Sequence, residues 1–241
     1  MRTFGAAPLV LATLSSLVVS ALAQSTSTDS ASLPATTKDS EAAYTRTIEG
    51  RTTAILALLE LNDAAKSNSM HNTIMGQYRA LRSWHDENDS KLRQLNKDAA
   101  GTDKDKAALA QEQATQTRAS LKALHDQFIA KLSADLTAEQ VEKVKDKMTY
   151  NKVQVTYNGY IQMLPDLTQE QKAKILEMLK EAREIAMDGG SAEEKTAVFE
   201  KYKGRINNYL SKQGYDLAKA SREWNQRLKA NSTREAGQPS N

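Results

Sequence analysis

Two dipeptides pair an imidazole with a carboxylate: His85-Asp86 and His125-Asp126. A metal site built from these pairs would want the two histidines facing each other with a carboxylate. Neighbours on a helix diverge by about 100°, so the His and Asp of one pair cannot easily share an ion. The third histidine, His71, lies too far along the same predicted helix from His85, and no helical H-x-x-x-H pair occurs. The residues therefore assign no metal ligands and no cofactor, and His85 reads as a polar layer that fixes helix register. Acidic pairs such as Glu193-Glu194, or Asp86 with Asp89, have the right groups for acid/base work. Carboxylates at helix starts and on exposed faces are far commoner as caps and solvated charge, and without a pocket nothing raises their pKa. The chain contains no Cys, which removes thiol catalysis, zinc–thiolate sites and disulfides. No Gly-rich phosphate loop, G-x-S-x-G or H-E-x-x-H is present. No catalytic residue is assigned, and an uncharacterised lyase or hydrolase ranks behind the binding readings.

The richest cluster of recognition chemistry lies in the C-terminal half. Six of the eight tyrosines fall between Tyr150 and Tyr215, with Arg205, Asn207, Asn208, Asp216 and Trp224 nearby. Aromatic rings beside amide and guanidinium donors suit a sugar or peptide groove. The candidate ligand-binding set is Tyr150, Tyr157, Arg205, Asn207, Asn208, Tyr209, Tyr215 and Asp216. Tyr202 and Tyr209 also fall on an apolar helix stripe, which points to core packing with hydroxyls at the rim. Arg205, Asn207 and Asn208 follow Gly204, which permits close approach of another backbone or a ligand.

The elements that must position these residues are helices. Pro165 is the only proline between residues 39 and 230, and Ala, Lys, Glu, Gln and Leu dominate. The fold class is all-α: an elongated multi-helix bundle with a long antiparallel hairpin and a C-terminal helical half. A first helix is predicted from about Glu41 to Leu61, with Tyr44, Ile48, Ile55, Leu58 and Leu59 on one face. A second runs from about Met70 to Asn96 on the seam Ile74, Tyr78, Leu81, His85, Asn88, Leu92 and Leu95. Gly101 turns the chain into a third helix ending near Ser133. There Ala110 and Ala114 should lie opposite the bulky Leu92 and Leu95. A fourth helix starts at Thr137. An extended break is expected near Thr149–Lys152, then a short helix before Pro165. Further helices are expected from Thr168 to Asp188, from Ser191 to Gly214, with Glu194 completing a capping box, and from Asp216 to about Lys229.

Residues 1–23 read as a cleaved signal peptide: Arg2, an apolar run from Pro8 to Val19, and Ala21-Leu22-Ala23 as the cleavage site. The expected compartment is periplasmic or secreted. Residues 24–38 read as a flexible linker and 231–241 as a disordered tail. Between them, 39–230 form a single helical domain, divided into a hairpin half (39–134) and a second half (135–230). No stretch of the mature chain is apolar enough to span a membrane. The chain carries 33 Lys+Arg against 30 Asp+Glu, a high but balanced charge that leaves no nucleic-acid footprint.

One phrase occurs twice: DLTAEQ at Asp135–Gln140 and DLTQEQ at Asp166–Gln171. Helix capping explains much of it. Each Thr is an N-cap and each Gln, three residues on, reaches back to it. Leu136 and Val141 add a hydrophobic staple in the first copy; Lys172 replaces the staple partner in the second. Leu-Thr-x-x-Gln opening a helix resembles the periplasmic proteins of the Spy and CpxP type, which are helical chaperones and stress adaptors. LNDAAK at Leu61–Lys66 reads as a degenerate third copy. The phrases VEKVKDKMTYNKVQVTYNGYIQMLPDLTQEQ and EAREIAMDGGSAEEKTAVFEKYKGRINNYLSKQGYDLAKASREW resemble exported bacterial proteins grouped as a domain of unknown function. That likeness covers roughly Thr45 to Trp224. It implies a helical domain, often found in bacteria that degrade polysaccharides, and brings no established activity. The leading expectation is a non-enzymatic, chaperone-like protein that binds polypeptide clients. The alternative is an oligosaccharide-binding or accessory protein in polysaccharide use.

Overall fold

A computed structural model describes residues 36–236 of the chain and the side chains of 40–230. Residues 1–23, read as a signal peptide, residues 24–35 of the expected linker and residues 237–241 of the expected tail lie outside the described residues. Eight helices and no strand occur among the described residues. They are α1 (Thr36–Leu59), α2 (Ala64–Ala99), α3 (Lys104–Asp135), α4 (Ala138–Met148), α5 (Lys152–Met163), α6 (Gln169–Met187), α7 (Ala192–Lys212) and α8 (Leu217–Ala236). The fold is the expected all-α bundle. At their outer ends α1 and α8 extend beyond expectation, into 36–38 and past residue 230.

The apolar interior is divided. Ile48, Ile55 and Leu59 of α1, Ile74 and Tyr78 of α2, Phe128 and Leu132 of α3, and Val141, Val144 and Met148 of α4 form one core. Val153 and Tyr160 of α5, Ile175 and Leu179 of α6, Phe199, Tyr202 and Ile206 of α7, and Ala220 of α8 form the other. Helix α6 serves both, since Met187 joins the first core while Ala182 and Ala186 join the second. The division falls at the α4–α5 elbow, so α4 packs with the hairpin. Farther out, α2 and α3 are held by Leu95, Ala110 and Ala114, with Leu92 against them, large residues facing small ones as expected.

Both DLTxEQ phrases open helices. Thr137 and Thr168 are N-caps in complete capping boxes, at Gln140 and Gln171. Leu136 and Leu167, the residues before the caps, are buried in the first and second core respectively. Each Gln also does something local grammar does not require. Gln140 Nε2 donates to the Leu59 carbonyl at the end of α1, 2.8 Å away. Gln171 Oε1 accepts from the Tyr215 hydroxyl at 2.8 Å. Each repeat is therefore a joint that ties a helix start to a distant helix end. LNDAAK also opens a helix, with Asp63 as the cap: its Oδ1 accepts from the Ala65 and Lys66 amides.

Four local expectations need correction. Leu58 is 42% exposed, because the α1 seam runs Ile48, Thr52, Ile55, Leu59 and places Leu58 about 100° off Leu59. The break after α4 is not extended: Tyr150 (φ 59°) and Asn151 (φ 54°) are both left-handed. That turn lets the Asn151 amide donate back to the Asp146 carbonyl at 2.7 Å, which closes α4 and pairs a backbone donor that an extended break would have left open. At α7, Ser191 accepts from the Glu194 amide, but the Glu194 carboxylate accepts from the Gly190 amide, one residue before the cap. The box expected there is half formed. Finally, a Cβ built on Gly204 meets nothing within 4 Å, so no backbone approaches closely there.

Candidate functional site

Helix α5 has apolar residues on two faces. Val153 and Tyr160 enter the core, while Val155, Gly159 and Met163, four apart, line up on another side. Helices α7 and α8 bring Lys203 and Asn207, and Leu217, Ser221 and Trp224, to the same place. Together with Thr156 and Tyr160 they form an open groove of about 420 Å³ between the three helices. Arg227 holds its end: Nη2 donates to the carbonyls of Gln162 and Met163, at 2.9 and 3.3 Å, where α5 runs out of intrahelical donors. Gly214 (φ 93°) ends α7 and lets the chain reverse into α8, whose start is capped by Asp216 Oδ1 on the Lys219 amide.

The groove is largely apolar, and Val155 on its wall is 67% exposed. A Cβ built on Gly159 meets nothing within 4 Å, so this glycine leaves its floor open. Tyr160 donates its hydroxyl to Asn207 Oδ1 at 2.7 Å. Burial pushes the Tyr160 hydroxyl up to about 12, with the Glu200 charge adding to it, so it remains a neutral donor. That bond turns the Asn207 oxygen inward and leaves its amino group as the donor for a ligand.

Of the eight candidate residues, Asn207 alone lines this groove. Tyr157, Tyr209 and Tyr215 are half-buried against the second core. Arg205 pairs with Glu181 at 3.4 Å and lies over the Tyr202 ring, 4.4 Å from its centroid. Asn208 is exposed on α7, and Asp216 caps α8. Tyr150 sits at the elbow with the Arg51 guanidinium 5.9 Å above its ring. These eight do not converge on one cavity.

A second assembly of chemical groups joins the hairpin to α6 and α7. Both hairpin histidines meet at Asp188, the C-cap of α6. His85 Nε2 lies 2.7 Å from the Asp188 carbonyl, and His125 Nδ1 lies 3.0 Å from its carboxylate. Their sequence neighbours turn away: Asp86 pairs with Arg82 and Asp126 with Lys122. His85 instead meets Asp89, one turn on, with 2.9 Å between Nδ1 and Oδ1. Hydrogen bonds to Asp188 and Glu184 outweigh burial and raise His125 to about 9. Burial would raise the Glu184 carboxyl, but His125, Lys145 and Arg183 together hold it at about 2. Arg183, buried under α4, donates to Asp146 at 2.6 Å and Glu142 at 2.7 Å. Lys195 is buried at the end of α6 and donates to the Ala186 and Met187 carbonyls at 3.1 and 2.8 Å. Burial lowers it to about 8. The groove side chains Val155, Met163 and Lys203, and the partners Asp188, Glu184, Lys145 and Arg183, were missed in the sequence. The i,i+4 spacing of His85 and Asp89 was the one local signal available.

Among the described residues the molecule is an all-helical bundle with two large cores, a smaller apolar cluster in the hairpin, an open apolar groove and a dense ionic junction. The chain belongs to the family described as protein of unknown function (DUF3826), whose model matches residues 45–230. The match runs from α1 to α8 and includes both cores. No curated protein matches the chain.

Proposed function

We propose that this chain is an exported, non-enzymatic binding protein of the cell envelope that holds apolar segments of partner polypeptides in the α5/α7/α8 groove. The observation that carries the reading is the groove's lining: Val155, Met163, Leu217 and Trp224 around an open glycine floor, with no carboxylate among the lining residues. An apolar side chain as exposed as Val155, beside a half-buried tryptophan, suits recognition better than packing. The Met and aromatic lining adapts to varied side chains, as a client surface must. The signal-like leader and the likeness of LTxEQ to the Spy and CpxP chaperones support the same reading. The test is suppression of aggregation of a chemically reduced, unfolding client at stoichiometric ratio. Wild type should delay light scattering, and Val155→Asp, on an exposed position, should abolish the delay. Equal protection by both proteins, or none by either, would remove the reading.

A second reading rests on the Trp224 indole beside the Asn207 amide, a pair that suits a sugar ring. Under it the ligand is an oligosaccharide, as in polysaccharide use. Calorimetry with pectic and other plant oligosaccharides decides it; flat titrations would exclude it.

A further inference from the structure

The ionic junction contains a trio that the groove reading does not use. His85 of α2, Asp89 one turn later and Glu194 in the first turn of α7 bring one ligand atom each to within 4.8 Å of one another. His85 Nδ1 lies 2.9 Å from Asp89 Oδ1 and 4.0 Å from Glu194 Oε2. Ligand atoms bound at about 2.0–2.1 Å in a tetrahedral zinc site sit about 3.3 Å apart, so these distances straddle the required spacing.

The surroundings prepare the trio for a cation. The Asp188 carbonyl can only accept, so at 2.7 Å it fixes the His85 proton on Nε2. Nδ1 then faces two carboxylates, so at most one exchangeable proton lies among the three ligand atoms. A carbonyl behind the second ring nitrogen is the outer-shell partner that metal-bound histidines use. Glu194 is oriented in the same way, since its Oε2 accepts from the Gly190 amide at 2.8 Å. This explains why the α7 capping box is only half formed. Gly190 is also sterically required, because a Cβ there would lie 2.7 Å from His85 Cγ. His85 is nearly buried, at 13% side-chain exposure, while Asp89 and Glu194 are 31% and 49% exposed, so an ion can enter from solvent.

We propose that His85, Asp89 and Glu194 bind a first-row divalent cation, with Zn²⁺ as the probe and water completing the shell. One nitrogen and two carboxylate oxygens suit such an ion. The ion would join α2 to α7 about 20 Å along α7 from Asn207, at 1.5 Å of rise per residue, so the site is separate from the groove. The competing occupant is a proton on Nδ1.

The test is isothermal calorimetry of the full-length, untagged chain with Zn²⁺ at pH 7.5 in two buffers of different ionisation enthalpy. One equivalent should bind, and the apparent heat should differ between buffers because Zn²⁺ displaces the Nδ1 proton. Asp89→Asn and Glu194→Gln, both at solvent-reached positions, should each weaken binding at least tenfold while circular dichroism stays unchanged. Absence of saturable binding, or equal affinity in wild type and both variants, would overturn the proposal. The second outcome would move the ion elsewhere, for instance to His71 with Glu49.

Discussion

His125→Gln tests whether the hairpin is locked to α6 by charge. In the folded chain the imidazole holds its proton to about pH 9, against an ordinary value of 6.5, chiefly through Asp188 and then Glu184. The folded state therefore binds this proton more tightly than the unfolded state. Its stabilisation is complete below pH 6.5 and is lost as pH rises through about 9. At about 1.36 kcal/mol per pH unit, the ceiling is roughly 3 kcal/mol. Glu184 is 35% exposed and screened by solvent, so about 1–2 kcal/mol is the expected size. The low value of Glu184 is in part the same contact seen from its partner and is not added. Urea unfolding of wild type and variant at pH 6, 7.5 and 9.5 measures it. Lys195 acts in the opposite sense: its folded value of about 8 lies below the ordinary 10.5, so stability rises over that window. Lys195 is present in both proteins, so it cancels in the difference between them. That difference should be about 1–2 kcal/mol at pH 6 and shrink towards zero at pH 9.5. A difference independent of pH would refute the ionic account and leave only packing.

Gln140→Ala removes one arm of a capping box and the donor on the Leu59 carbonyl, so it should destabilise by about 1–2 kcal/mol in urea. A loss near zero would reduce the repeated phrase to local capping. Glu60, exposed and left-handed at φ 51°, should accept glycine with a gain of about 0.5–1 kcal/mol, read as a higher melting temperature. On the acid side, Glu184→Gln should flatten stability between pH 4.5 and about 2, where the folded wild type loses this carboxylate's contribution as pH falls.

Periodic features were legible in the sequence, and features made by distant convergence were not. The α2 seam from Ile74 to Leu95, the small-to-large match of Ala110 and Ala114 with Leu92 and Leu95, and both capping boxes follow from spacings of three and four. The tyrosines from Tyr150 to Tyr215 look like a site because they are close in sequence, yet most of their rings pack into the second core. The groove escaped notice because its residues come from three helices and because α5 shows apolar residues on two faces. His85 and Asp188 are 103 residues apart, so no local rule pairs them. The left-handed pair Tyr150-Asn151 lacks the glycine that would have announced it.

The most direct test of the central claim is an anisotropy titration of a fluorescent, unstructured Leu/Phe-rich peptide with wild type and Gly159→Leu. The new side chain has open space above the α5 backbone, so it should fill the groove without lowering the melting temperature. The account predicts saturable binding to wild type and at least tenfold weaker binding to the variant. Equal affinity for both would contradict it.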